Sequence, residues 1–148
     1  MKKRRKNNKK TARRKFPLWL FIDDTKVDHP VMHTPDDPEY YLHRAFDRSD
    51  ASSGCLFIDA DYSLDGNSLL IYGHHMKDKS MFGSLTDYQS KEYGLEHSVI
   101  RFDTLTEEQD YELLAALYWG ASSEQEEGLF RYYEYPDLSS PEVFPPPY

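Results

Sequence analysis

LLIYGHHMKDKSMFGSL, residues 69–85, is the most informative stretch of this chain. Its apolar start is bounded by Asn67 and Gly73, which predicts a short buried strand. The strand leads directly to His74, and an imidazole is the side chain most easily tuned to gain or lose a proton near neutral pH. Gly73 lets backbone or substrate approach that imidazole closely. The histidine of an isolated Gly-His pair more often lies in a loop and has no catalytic role. The neighbouring segments therefore decide whether His74 is a candidate catalytic residue.

Short apolar runs separated by turn residues continue on both sides of this stretch and predict a mainly β domain with short helices. One or two helical turns are expected at residues 39–46, and a helix face is expected between residues 80 and 93. Residues 111–117 could form either a strand or a helix on propensity. The other expected strands are residues 26–31, 56–58, 68–72 and 99–102.

Composition is typical of one compact domain. The chain has 148 residues, of which 39% are hydrophobic, enough for a single buried core. The aromatic share of 15% suits half-buried strand faces better than a helical bundle. A single cysteine, Cys55, excludes an internal disulfide bond and the zinc patterns that need several cysteines.

Charge is distributed unevenly along the chain. Ten of the eighteen basic residues lie between residues 2 and 15, so without them the net charge falls from −8 to −18. The acidic body disfavours binding to nucleic acid, although the basic arm could bind an anionic lipid surface weakly. The apolar run at residues 16–22 is much shorter than the roughly 20 residues that a membrane-spanning helix needs.

Metal binding is not predicted. His29 and His33 are separated by Pro30, have no helical context, and are not followed by a cluster of cysteines or histidines. Asp59, Asp61 and Asp65 lack the spacing of an EF-hand loop, and solvated acidic residues in turns are the simpler interpretation. We therefore expect neither a metal ion nor another cofactor.

Several segments, in a consistent order, resemble the class B sortases, which are cysteine transpeptidases that attach proteins to the bacterial cell wall. The resemblance extends from Trp19 to Tyr133, implies a sortase-like β-barrel, and favours a strand at residues 111–119. The matching segments and single positions are residues 19–31, 33–42, 54–59, 67–76 and 80–82, with Tyr88, Tyr93 and His97.

The resemblance implies a role for each residue near His74. His74 matches the family's catalytic histidine, which protonates the departing amine and deprotonates the incoming one. Tyr72 lies on the same strand face and could line a peptide groove, although simple packing of its ring is equally plausible. Leu42 matches a contact to the sorting signal, but core packing is the more common role for leucine. His75 points the other way and is expected at the surface. The implied partners are a sorting-signal peptide and a cell-wall precursor amine.

Two parts of the family's site have no counterpart in this sequence. Class B sortases attack with a cysteine at the end of a late strand and support it with an arginine from the next strand. Cys55 matches a small-residue position in an early strand, and Arg131 precedes the place where the cysteine motif would begin. We therefore expect a β-barrel that is incomplete at its C-terminal strands, is inactive alone, and could self-associate through an open sheet edge.

The resemblance divides the chain into a basic disordered arm (residues 1–15), a partial class B sortase domain (residues 16–136) and a Pro-rich tail (residues 137–148). It implies a location in the cell envelope, outside the cytoplasm and associated with the membrane, with the family's usual anchor missing after the arm. Two alternatives remain. The chain could be a non-catalytic relic that binds peptides, or a small protein that binds anionic surfaces through its arm.

Overall fold

A computed structural model describes residues 18–118 and residue 137, so the predicted arm, residues 119–136 and most of the predicted tail lie outside the described residues. The described part is mainly β, with two short helices between the fourth and fifth strands. The strands are β1 (Leu18–Ile22), β2 (Asp28–Met32), β3 (Leu56–Ile58), β4 (Ile71–Tyr72), β5 (Val99–Thr104) and β6 (Glu108–Glu112). The helices are a 3-10 helix (Gly83–Gln89) and α1 (Lys91–Glu96).

The six strands form one curled sheet in the order β4-β3-β2-β1-β5-β6, which is half of a barrel. Of the neighbouring pairs, only β2 and β3 are parallel. A parallel pair needs a crossover connection, and residues 33–55 supply it. This crossover carries Leu42 over the sheet, while β4 and β6 are the edge strands of the described residues.

The main core lies on one face of the sheet because the strands alternate between two faces. In β1, Leu18, Leu20 and Ile22 point to this core. In β3, Leu56 and Ile58 do the same, whereas Phe57 points to the opposite face. The rest of the buried core consists of Val27, Val31, Tyr62, Met81 and Phe102.

A second, smaller cluster covers the opposite face beside β3. Phe57 packs there with buried Tyr41 and Cys55, and the half-buried side chains of Met32, Tyr40 and Leu42 surround them. The crossover therefore packs against the sheet on the face that lies away from the main core.

The structure confirms the mainly β fold with short helices and corrects four of the predicted elements. Residues 39–46 form hydrogen-bonded turns rather than helical turns, and the strand predicted at residues 68–72 is reduced to Ile71–Tyr72. The helix expected within residues 80–93 is two short helices, α1 beginning after Ser90, whose hydroxyl accepts a hydrogen bond from the Tyr93 backbone N–H. The last strand is Glu108–Glu112, not residues 111–119.

Neither of the two helices in the described part of the chain has the length and apolar character needed to cross a membrane.

Candidate active site

The three residues predicted for the site lie around one open groove. Leu42 comes from the crossover, Tyr72 from β4, and His74 from the segment that follows β4. The groove has a volume of about 580 Å³. A strand end, a crossover loop and the turn after β3 therefore form a single concave surface that contains the histidine.

Strand register explains why Tyr72 and the crossover meet. Phe57 of β3 is paired with Tyr72 of β4 on one side and with Met32 of β2 on the other, so the three side chains share one face of the sheet. The rings of Phe57 and Tyr72 have centroids 5.5 Å apart. Leu42 packs against the cluster that contains Phe57, and this contact forms the apolar side of the groove.

Gly73 fixes the position of His74 relative to the core. A Cβ atom at residue 73 would lie 2.3 Å from Cδ2 of Leu56 and 2.6 Å from Cδ2 of Phe82. Only glycine therefore lets the backbone pass this close to the core side chains. The backbone N–H of Phe82 donates a hydrogen bond to the carbonyl of His74 at 3.0 Å. His74 is half-buried at the groove, and this hydrogen bond holds its backbone.

The turn after His74 is tightly constrained. His75 is exposed and forms an isolated bridge with Met81, which closes the turn. Lys79 and Met81 have φ angles of 63° and 50°, a left-handed conformation that is uncommon for residues other than glycine. The side chain of Lys79 forms an ion pair with Asp87 at 2.6 Å. Such strained positions persist only where the surroundings hold them, and here they adjoin the candidate catalytic histidine.

His43 is a neighbour of His74 that the sequence did not predict. The two imidazole rings have centroids 5.4 Å apart and are tilted by 47°. The contact depends on how the crossover folds back over β4, so it has no local sequence pattern. The position of His43 directly after Leu42 is the one sequence signal that could have pointed to it.

The hydroxyl of Tyr72 is held by a carboxylate that also lines the groove. Its hydroxyl donates a hydrogen bond to Oδ2 of Asp59 at 2.9 Å, and the tyrosine remains 42% exposed. Oδ1 of Asp59 accepts a hydrogen bond from the backbone N–H of Asp61 at 2.9 Å. Asp59, interpreted from the sequence as a solvated acidic residue, therefore orients a groove side chain.

Cys55 lies outside the groove lining and is a packed core residue. It is 5% exposed, belongs to the cluster under the crossover, and its backbone N–H donates to the carbonyl of Tyr41 at 3.0 Å. Burial, with a smaller contribution from the negative charge of Asp47, raises the pKa of the Cys55 thiol. Because the thiolate is the nucleophilic form, this environment suppresses the reactivity of Cys55.

No group of three or more histidine, cysteine, aspartate or glutamate side chains within residues 18–118 and 137 is arranged to hold a metal ion. His29, His33 and His97 lie outside the groove.

Comparison with known proteins points to one family. No family model matches the chain. Sortase B of Listeria monocytogenes is 35% identical over 100 residues, which are 66% of this chain and 40% of that protein. The chain thus spans well under half the length of this curated relative.

The solved structures that resemble this chain are also structures of sortase B. Sortase B of Bacillus anthracis in complex with AAEK1 is similar with a TM-score of 0.62 and 29% identity over 77% of this chain and 57% of the solved chain. The Staphylococcus aureus sortase B-substrate complex has a TM-score of 0.61 over 71% of this chain and 49% of the solved chain, and at 24% identity it supports the fold alone. Sequence similarity and the half-barrel therefore both show that the chain is similar to the class B sortases.

Proposed function

We propose that this chain supplies the peptide groove and the general acid/base histidine of a class B sortase transpeptidase acting in the cell envelope. One observation carries the proposal: Leu42, Tyr72 and His74, which come from separate parts of the sequence, line the same groove. An apolar side formed by Leu42 and Phe57 beside a titratable imidazole suits an extended peptide whose backbone passes a proton donor.

The proposed reaction is acyl transfer from a sorting signal to a cell-wall amine. A cysteine thiolate attacks the peptide carbonyl carbon, the C–N bond breaks, and a thioester forms. His74 gives a proton to the departing amine and later takes one from the amine that resolves the thioester. The half-buried position of His74 at the groove, with its carbonyl hydrogen-bonded to the Phe82 N–H, supports this role.

The nucleophile is the part of this reaction that the described residues do not provide. Cys55 is the one cysteine of the sequence, and it is buried under the crossover rather than in the groove. This favours a second candidate function, in which the chain binds a sorting-signal peptide without cleaving it. Both functions use the same groove, so peptide binding tests what they share and turnover separates them.

Turnover by the chain alone is expected to be absent. A fluorogenic sorting-signal peptide of a class B sortase should be cleaved no faster than in buffer, because His74 has no accessible thiolate to assist. Alkylation with iodoacetamide and the Cys55→Ala substitution should both leave this rate unchanged. Thiol-dependent cleavage that is lost in Cys55→Ala would instead make Cys55 a nucleophile and overturn the proposal.

Peptide binding by the chain is expected to depend on Leu42. Replacing Leu42 with alanine removes the apolar contact beside Phe57 and should weaken the binding of a dansyl-labelled sorting-signal peptide by about three- to tenfold. Fluorescence anisotropy would give the dissociation constants, with circular dichroism to check that the fold is kept. The matched control is His75→Ala, an exposed residue outside the groove, which should bind like the wild type. Equal weakening in both variants would contradict the assignment of this groove.

A further inference from the structure

The imidazole of His74 contacts one other ring in the described part of the chain, that of His43. The two ring centroids are 5.4 Å apart and the planes are tilted by 47°. This separation lies within the roughly 4.5–7 Å at which aromatic rings attract each other. No described residue forms a hydrogen bond with the imidazole nitrogens of His74. A catalytic base is usually oriented by a further group that contacts it, and His43 occupies that place here.

Backbone contacts within the crossover fix the position of His43. Its carbonyl accepts a hydrogen bond from the Ala51 N–H at 3.0 Å, and the next residue, Arg44, forms a bridge with Asp50. The guanidinium of Arg44 also donates to the carbonyl of Tyr40 at 2.9 Å. The exposed ring of His43 therefore extends from a backbone that is held on both sides of the residue.

His43 contacts His74 without occupying the groove. His74 lines the groove, whereas His43 does not, so a substrate can bind beside the imidazole while His43 stays in place. Proton transfer needs a ring nitrogen within hydrogen-bonding distance of the reacting atom. A displacement of about 1 Å can cost on the order of 100-fold in rate. A group that holds the ring from outside the groove would therefore assist the reaction without touching the substrate.

From this geometry we propose that His43 is a positioning residue for His74. Its ring packs against the His74 imidazole and holds it in the orientation that faces a bound peptide. The inference rests on the proposed function, because it assumes that His74 acts on a peptide in the groove. It goes further by assigning a role to a residue that lies outside the groove.

Nuclear magnetic resonance of the full chain, labelled with ¹³C and ¹⁵N at histidine, tests the contact. The wild type should show nuclear Overhauser effects between the rings of His43 and His74. In His43→Ala and His43→Gln, a second orientation of the His74 ring should become about three- to tenfold more populated, as expected for the loss of an aromatic pair. Relaxation dispersion of the ring carbons would measure this population.

Two further variants separate ring packing from other effects. His43→Phe keeps a ring and removes both nitrogens, so the population should remain close to that of the wild type. The matched control, His75→Ala, removes an exposed histidine next to His74 and should also leave the population unchanged. A wild type without effects between the two rings would contradict the proposal. So would an unchanged population in His43→Ala and His43→Gln, or recovery with glutamine but not with phenylalanine.

Adding the dansyl-labelled sorting-signal peptide distinguishes this inference from the proposed function. His43→Ala should bind the peptide with a dissociation constant close to that of the wild type, because residue 43 does not line the groove. Nuclear Overhauser effects between the His74 ring and the peptide should weaken in His43→Ala and return in His43→Phe. If they are equally strong in all three proteins, the positioning role is wrong and the proposed function stands. If no protein binds the peptide, the proposed function is wrong, and so is the role of His43 in it.

Discussion

A hybrid in which the cysteine- and arginine-bearing C-terminal strands of a class B sortase follow residue 136 of this chain is expected to catalyse transpeptidation that depends on His74. Tyr72 and His74 both line the groove, whereas the intervening shift of one residue directs His75 outward to its bridge with Met81. His74→Ala should lower kcat/KM on the order of 100-fold or more, as the loss of general acid/base catalysis does. Kinetics with a fluorogenic sorting-signal peptide and an added amine would measure it.

His75→Ala is the control for this hybrid, because it removes the same kind of side chain one residue away. Its kcat/KM should stay within a few-fold of the parent hybrid. Equal losses in the two variants would show that the imidazole at residue 74 has no special role. A hybrid that folds and binds peptide but does not turn over, even with both histidines present, would favour the non-catalytic, peptide-binding alternative.

Gly54→Ala is expected to destabilise the protein strongly although it adds only one methyl group. Gly54 has a φ of +57°, and a Cβ atom there would lie 2.3 Å from the carbonyl oxygen of Leu42 and 2.6 Å from that of Tyr41. Left-handed strain and a clash with two backbone oxygens act together, since neither oxygen can move without displacing the crossover. The free energy of unfolding should fall by about 3 kcal/mol or more, measured by urea denaturation.

Gly94→Ala provides the matched comparison for this change. Gly94 lies in α1, and the nearest atom to its added Cβ would be Cδ1 of Tyr88 at 3.7 Å, an ordinary van der Waals contact. Alanine is favoured over glycine in a helix by up to about 1 kcal/mol, so this variant should be as stable as the wild type or more stable. If Gly54→Ala were equally well tolerated, the crossover would not be fixed against β3 in the way described.

The sequence predicts best those elements that have a buried face. β3 alternates between the main core and the opposite face, and its three buried apolar residues mark it clearly. β6 is different, since all five of its residues are exposed and three are acidic. Such an edge strand is held by backbone pairing to β5 and leaves no hydrophobic pattern, so the sequence placed the strand in the apolar residues that follow.

The residues of the candidate site also differ in how far the sequence predicts their positions. That Tyr72 and His74 share a face follows from the two-residue period of a strand, and the position of Leu42 near them was implied only by the family resemblance. The contact between His43 and His74 arises where the crossover folds over the sheet. Contacts between loops distant in sequence have no local pattern, so only the three-dimensional arrangement identifies them.

The proposed catalytic histidine follows an edge strand, so in the proposed function its chemistry would depend on how the sheet is completed. β4 pairs with β3 on one side, and no other strand in the described part of the chain occupies its second side. A neighbour that completed the sheet there would be aligned with the groove by the same backbone hydrogen bonds that hold the strands together. In such an architecture, the reactive groups come into register only after the sheet closes. Activity would then appear only after correct assembly. A partly folded intermediate would therefore not cleave peptides.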